Sequence, residues 1–256
     1  MKFTPFLTLF PLVLALPSPS KVLAPRAQPS QCGAFTSIAT GPFTIYANEW
    51  GASTSGTTGS QCSYIDSLSS GNSLAWHTTW TWAGSSSQVK TYTNVETSLA
   101  QKAVSQYKSI PTTWTWNYTG TNLACNVAYD TFLGTTATST NLFEVMVWLG
   151  VYGGVSPLSA NGYPFTPIAS PTINGVAFDL AYGTNGAVKV YSFVAHSHAA
   201  TPFSGDLLAF YKYLSTNYGS NGFTSNLVLQ SVQAGSEVFT GSGAELATTG
   251  YTISAS

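Results

Sequence analysis

Short stretches of alternating hydrophobic and polar residues recur along most of the chain, separated by clusters of Gly, Ser, Asn and Pro. A period of two places successive side chains on opposite faces of a strand, so each stretch predicts a strand with one face on a core. Many short strands between turn signals are typical of a β-sandwich. The predicted strands cover residues 43–50, 73–82, 89–92, 112–118, 123–132, 142–149, 176–182, 187–195, 227–234 and 245–253.

One segment has helical rather than strand periodicity. Four apolar residues recur there at helical spacing, namely Leu207, Phe210, Tyr211 and Leu214. Ser204 is placed to cap the amino end, Asp206 would lie in the first turn, and Asn217 and Gly219 end the pattern. A single amphipathic helix beside a large sandwich must pack on the outer face of one sheet. The other sheet is then free to curve and expose a groove.

The amino terminus is typical of an exported protein. Lys2 precedes an almost wholly apolar run at 3–16, which ends near Pro17. This pattern predicts a secretory signal peptide, and residues 1–30 are interpreted as that peptide with a short pro-segment. Residues 31–256 then form one domain, secreted to the extracellular space. The apolar run is too short to span a membrane, so no membrane association is expected.

Composition narrows the function classes. Charged residues are 7% of the 256 residues, against about 25% in ordinary soluble domains. Eight basic residues cannot neutralise a phosphate track, so we expect no nucleic-acid partner. Disorder is excluded because it requires low hydrophobicity and high net charge.

Three cysteines allow one disulfide with one thiol left over. Cys32 opens the mature domain and Cys62 follows thirty residues later, between polar turns. We predict that these two pair, which would fasten the amino terminus to an early strand. Cys125 lies in a strand-like run and is interpreted as a small buried residue. The spacings favour no metal site.

The scarcity of charge makes a carboxylate inside an apolar strand informative. Glu144 lies in such a strand and shares a face with Met146 and Trp148, which we predict to contact a ligand beside it. An unpaired buried carboxylate costs several kcal/mol. Glu144 must therefore face a wet concave surface or a partner, and the alternative is a salt bridge to a lysine across the sheet.

Two further acids stand out. Glu237 follows Gly235, whose missing side chain would open space for a bulky ligand, although a solvated acid at a strand end is an alternative. Asp130 occupies a predicted strand interior, where Asp is disfavoured. The alternative for Asp130 is a turn residue misplaced by an error in the predicted boundary.

Paired carboxylates are the minimum machinery for hydrolysing a glycosidic bond, since one must donate a proton while the other is ionised. Aromatic faces stack on sugar rings, and the chain has seven Trp and 14 Tyr. For most of them core packing is the favoured interpretation. Trp50 is the exception, because Asn48 beside it supplies a polar partner.

Other motifs contribute little. No nucleophile elbow, zinc-protease or nucleotide-binding motif occurs. His196 and His198 share a strand face but lack a third metal ligand, and His77 is interpreted as a hydrogen-bonded strand residue. Asn117 heads the sequon Asn117-Tyr118-Thr119 and is a candidate for N-glycosylation.

From Cys32 to its end the chain resembles fungal members of glycoside hydrolase family 12, which are endo-β-1,4-glucanases that include xyloglucan-specific enzymes. The segments that carry this resemblance, in order, are 48–51 (NEWG), 75–77 (AWH), 89–92 (VKTY), 110–113 (IPTT), 126–130 (NVAYD), 143–149 (FEVMVWL), 190–195 (VYSFVA), 203–206 (FSGD) and 235–241 (GSEVFTG).

The resemblance implies an all-β jelly-roll sandwich of two antiparallel sheets, with a concave substrate cleft and one helix on the outer face. It implies a retaining mechanism in which Glu144 matches the nucleophile, Glu237 the general acid/base and Asp130 an acid that supports the nucleophile. Cleft residues are matched by Asn48, Trp50 and Met146, and Pro157 ends a segment that matches a loop across the cleft. The resemblance also matches a Cys32–Cys62 disulfide.

We therefore expect a secreted, retaining endo-β-1,4-glucan hydrolase that acts on soluble plant cell-wall glucans without metal or cofactor, as a monomer. The alternative enzymatic function is that of an endo-β-1,4-glucanase that is strictly specific for xyloglucan. The alternative from another class is a non-catalytic glycan-binding sandwich such as a lectin. Calcium-dependent lectins of this shape need clustered Asp and Asn, and the four Asp here are scattered, which counts against it. The chain departs from the family at Val238, which stands where Pro is usual.

Overall fold

The structure, a computed structural model, describes residues 30–256. The predicted signal peptide and pro-segment lie outside the described residues, apart from Ser30. Thirteen strands run through the described chain: β1 (Ser30–Gln31), β2 (Ser37–Thr40), β3 (Phe43–Tyr46), β4 (Thr58–Leu68), β5 (Leu74–Ala83), β6 (Thr91–Thr97), β7 (Pro111–Gly134), β8 (Phe143–Tyr152), β9 (Thr172–Ile173), β10 (Val176–Asn185), β11 (Val188–Ala195), β12 (Phe203–Asp206) and β13 (Val228–Ile253). The helices are α1 (Leu208–Asn217) and two 3₁₀ turns, Val104–Gln106 and Gly219–Asn221.

Two long strands, β7 and β13, pair along almost their whole length and belong to both layers of a sandwich. Their outer halves lie in a back sheet of order β1-β4-β5-β13-β7-β12. Their other halves lie in a front sheet of order β2-β3-β6-β13-β7-β8-β11-β10-β9. The predicted all-β sandwich is confirmed, with one exception to antiparallel pairing, since β8 and β11 run parallel.

Both long strands bend where they pass from one sheet to the other. Gly120 in β7 has φ +135° and Gly243 in β13 has φ +53°, values that L side chains rarely adopt. A Cβ on Gly120 would lie 2.8 Å from Cα of Ala244, so the two strands also approach closely at the bend. The sequence predicted a break in each strand here. The structure instead forms one bent, bulged strand each time.

Aromatic side chains fill the space between the sheets. Trp114 from the back sheet contacts Tyr129 from the front sheet at 5.1 Å between ring centroids. Phe43 of the front sheet likewise lies 5.8 Å from Tyr251 of the back sheet. Trp76 is also buried among them, as the core interpretation of most aromatics predicted.

Several predicted boundaries are wrong. The strand predicted at 43–50 ends at Tyr46, and the one predicted at 89–92 begins at Thr91. The whole of β4 was missed because its inward side chains include polar Gln61 and Ser63, which are buried and hydrogen-bonded. Hydrophobic alternation cannot reveal such a strand.

The prediction of a single α-helix is confirmed, but its placement differs. It packs on the core face of the front sheet, the same sheet that carries the cleft, and not on the outer face of the other sheet. Phe210 contacts Phe178 and Phe193 at 5.3 and 5.0 Å between ring centroids. The predicted cap is wrong, because Ser204 lies in β12. Oδ1 of Asp206 instead accepts the Leu208 N–H at 2.9 Å.

The predicted Cys32–Cys62 disulfide is confirmed, and it joins the residue after β1 to β4. Cys125 is a buried free thiol, also as predicted, and burial raises its pKa to about 12. Within residues 30–256, every helix is too short or too polar to cross a lipid bilayer.

Candidate active site

Three neighbouring strands of the front sheet each carry one acid. In the order β13-β7-β8 these are Glu237, Asp130 and Glu144. Asp130 pairs across the strands with Met146, which places it diagonally from Glu144. Strand alternation turns Val145 into the core and leaves the three acids on the open face.

A cleft of about 650 Å³ crosses this open face. Its wall combines the segment before β6, the middle of β8, the loop at 154–164 and the part of β13 around Glu237. Five predicted site residues line it, namely Glu144, Met146, Trp148, Pro157 and Glu237. The two candidate catalytic glutamates therefore face the same space from different strands.

The cleft floor beside Glu144 is apolar. Met146 and Trp148 are 4% and 2% exposed and pack with Ala128 of β7 and Val194 of β11. The indole N–H of Trp148 donates to the Met146 sulfur at 3.4 Å. A floor of this kind excludes water from beneath a bound ligand.

Asn48 and Trp50 lie outside this lining. The predicted strand that would have placed them on one face ends before them, and Asn48 adopts φ +48° in the segment that follows. The Asn48 carbonyl accepts the Tyr92 N–H at 3.1 Å, and Tyr92 pairs with Glu237 across β6 and β13. Trp50 is 49% exposed, so its ring is available to a ligand beside the cleft.

Asn126 of β7 holds Glu237 at two points. Its amide Nδ2 donates to Oε2 of Glu237 at 2.5 Å, and its Oδ1 accepts the Glu237 backbone N–H at 2.8 Å. The sequence analysis included Asn126 only as part of the segment 126–130 that carries the family resemblance. No sequence signal could have paired two residues that are 111 positions apart.

Burial raises the pKa of all three acids, and like charge adds to the shift at Glu144 and Asp130. Burial, followed by the charge of Glu237, raises the pKa of Glu144 to about 7. Burial raises the pKa of Glu237 to about 7, and the hydrogen bond from Asn126 opposes that shift. Burial and then the charges of Glu144 and Glu237 hold the pKa of Asp130 well above its usual range.

No cation relieves this repulsion within residues 30–256. The ion pairs there are His77 with Asp66 and His196 with Asp179, at 2.8 and 2.9 Å. The alternative of a lysine salt bridge to Glu144 is therefore wrong. Because like charges cannot all ionise in so small a space, the site holds protons near neutral pH. Acids that gain and lose protons near neutrality can perform general acid/base chemistry.

The remaining candidates lie elsewhere. The Nδ1 atom of His77 is hydrogen-bonded to Asp66, as predicted. In the described part of the chain, no three His, Cys, Asp or Glu side chains cluster as metal ligands. Asn117 is exposed on the outer face of the back sheet, and its glycosylation stays a prediction.

Comparisons with known proteins agree on one family. The model of glycosyl hydrolase family 12 matches residues 41–256. The xyloglucan-specific endo-β-1,4-glucanase A of Aspergillus aculeatus is 45% identical over 223 residues, which cover 87% of this chain and 90% of that protein. A probable xyloglucan-specific endo-β-1,4-glucanase A of Neosartorya fischeri is 44% identical over 223 residues, which cover 87% of this chain and 90% of that protein.

Solved structures give the same result. Endoglucanase 3 of Trichoderma harzianum, from family GH12, superposes with a TM-score of 0.81 and 34% identity, covering 91% of this chain and all of that one. The catalytic domain of Humicola grisea Cel12A, solved with a soaked thio-cellotetraose, superposes with a TM-score of 0.80 and 30% identity. The match covers 89% of this chain and 99% of that one.

The Asn126 contact predicts a shift in pH dependence. In Asn126→Ala the opposing hydrogen bond is lost, so the pKa of Glu237 should rise above about 7. If Glu237 must be protonated to act, the alkaline limb of the kcat/KM profile should move to higher pH by about one unit. Asn117→Ala, an exposed site on the back sheet, is the matched control and should leave the limb in place. An alkaline limb that stays fixed or moves to lower pH in Asn126→Ala would contradict the assignment.

Proposed function

Because the chain belongs to glycosyl hydrolase family 12, we propose that its cleft cleaves β-1,4-glucan chains internally, with retention of anomeric configuration. The chain is a glycoside hydrolase, and polysaccharide is its substrate. The observation that carries the proposed mechanism is that Glu144 and Glu237 line one cleft from different strands. The raised pKa values of both carboxyl groups support an acid/base pair.

Glu237 begins the reaction as the general acid. It gives its proton to the oxygen of the leaving chain while the ionised Glu144 carboxylate attacks the anomeric carbon. The bond from carbon to oxygen breaks, the chain with the new hydroxyl leaves, and a covalent glycosyl ester forms on Glu144. Glu237, now ionised, takes a proton from water, which attacks the same carbon and releases Glu144. Asn126 orients the Glu237 carboxylate through both steps.

Asp130 supports this cycle as a neutral acid. Burial and two neighbouring carboxylates favour its protonated form, so it adds no third charge beside Glu144. Its Oδ1 atom is buried without a hydrogen-bond partner among the described residues. An O–H of Asp130 aimed at Glu144 would stabilise the ionised nucleophile and weaken as the ester forms.

Secretion is part of the proposal. The Cys32–Cys62 disulfide requires an oxidising compartment, which agrees with the signal peptide predicted for residues 1–30. The monomeric state and the absence of nucleic-acid and membrane partners stay predictions from the sequence.

Substitution of the two glutamates tests the roles directly. Glu144→Gln should abolish hydrolysis of soluble glucan, because an amide cannot attack the anomeric carbon. Glu237→Gln should lower kcat roughly 10²- to 10⁴-fold, as for loss of a general acid. On an aryl cellobioside whose leaving group needs no proton, Glu237→Gln should still release the aryl group in the first step. Glu144→Gln should not release it. Hydrolysis by Glu144→Gln at the wild-type rate would refute the assignment, as would an equal loss for both variants on the activated substrate.

A preference for branched glucan is supported by two observations. The relatives that are 44–46% identical carry xyloglucan-specific names. Small residues such as Ser86, Ser87 and Gly154 line the cleft walls, which leaves room for xylosyl branches. We expect kcat/KM on xyloglucan to exceed that on unbranched mixed-linkage glucan and carboxymethyl cellulose at least about tenfold, a difference of about 1.4 kcal/mol. Similar rates on all three would indicate a broad endoglucanase instead, and no hydrolysis of any would favour a glycan-binding protein.

A further inference from the structure

Lys90 is a buried cation for which the mechanism has no use. Its side chain is fully buried, with 0% exposure, in a protein that buries few charges. The Nζ atom donates to the carbonyl oxygens of Ser85 and Gln88 at 2.5 and 2.7 Å. No carboxylate pairs with it among residues 30–256. Removing an ammonium group from water is costly, so the burial of Lys90 against two carbonyl groups requires an explanation.

The two carbonyls belong to the loop between β5 and β6 that forms one wall of the cleft. Ser86, Ser87 and Val89 from this loop line the space that contains Glu144 and Glu237. The loop is exposed along its outer side. The ammonium lies beneath it and holds carbonyls from both ends of the short segment.

The backbone of Lys90 joins the same loop to two other parts of the site. Its N–H donates to the carbonyl of Val238, the residue after Glu237, at 2.7 Å. Its carbonyl accepts the N–H of Gly51, the residue after Trp50, at 2.9 Å. A Cβ on Gly51 would lie 2.1 Å from the Val89 carbonyl oxygen, so this contact is close and tolerates no side chain.

We propose that Lys90 is a positioning residue that fixes the Ser86–Ser87 wall of the cleft against the strand carrying Glu237. Among residues 30–256, the Lys90 ammonium is the donor that reaches both loop carbonyls. Without it the carbonyls would turn outward to water and the wall would move with them. The backbone hydrogen bond from Lys90 to Val238 does not depend on the Lys90 side chain, so substitution of that side chain should leave the orientation of Glu237 unchanged. The inference rests on the proposed function, because the wall is assigned to glucan binding.

Lys90→Met and Lys90→Gln form a matched pair of similar length, of which only Gln retains an N–H donor. On soluble glucan, Lys90→Met should raise KM about tenfold, with kcat within about threefold of wild type. Lys90→Gln should raise KM about threefold, since it can reach one carbonyl. The pH profile should not change in either variant, because Asn126 still holds Glu237. Circular dichroism and the thermal midpoint should establish that both variants fold.

Three results would overturn the proposal: wild-type KM in Lys90→Met, equal KM in the two variants, or a loss confined to kcat. If Lys90→Met does not fold, Lys90→Gln decides, and an unchanged KM in that variant overturns the proposal. Binding of cellotetraose, measured by calorimetry in a Glu144→Gln background with and without Lys90→Met, separates this inference from the proposed function. A wild type without hydrolysis would refute the proposed function alone. Equal cellotetraose affinity with and without Lys90→Met would refute the positioning role alone.

Discussion

Repulsion among three acids on adjacent strands is the constraint on which the site depends. In a chain with 7% charged residues, Glu144, Asp130 and Glu237 stand side by side with no cation to neutralise them in the described structure. Burial, with like charge added at Glu144 and Asp130, keeps protons bound near neutral pH. A lysine placed between them would stabilise the fold but would hold all three acids ionised, which would remove the proton that glycosidic cleavage requires.

The architecture keeps these acids in place without neutralising them. The two long strands β7 and β13 are anchored in the back sheet by the aromatic core around Trp114 and Tyr251. Their bends carry the opposite halves into the front sheet, where Asp130 and Glu237 emerge. A neutral side chain, Asn126, then fixes Glu237 by hydrogen bonds instead of an ion pair. Orientation is therefore supplied by packing and amide contacts, and the charge state stays free to change.

The sequence identified functional residues whose polarity differs from that of their neighbours in the chain. It did not identify residues whose roles depend on contacts between distant segments. Glu144 was identifiable because a carboxylate interrupts an apolar strand. Gly120 and Gly243 resemble turn residues, so the continuity of β7 and β13 could not be predicted. The roles of Asn126 and Lys90 depend on partners supplied by the tertiary fold. Asp206, and not Ser204, accepts the N–H of the first helical residue, because Ser204 lies inside β12. Local patterns thus predicted the fold class and the acids, but not the groups that hold them.

Trapping the covalent intermediate tests the central claim most directly. The wild-type enzyme would be incubated with an activated 2-deoxy-2-fluoro cellobioside, digested and mapped by mass spectrometry. A fluoro substituent slows release of the glycosyl ester, so the account predicts one added disaccharide on the peptide that contains Glu144. A label on Glu237 or Asp130 would contradict it, as would complete turnover with inversion and no labelled peptide.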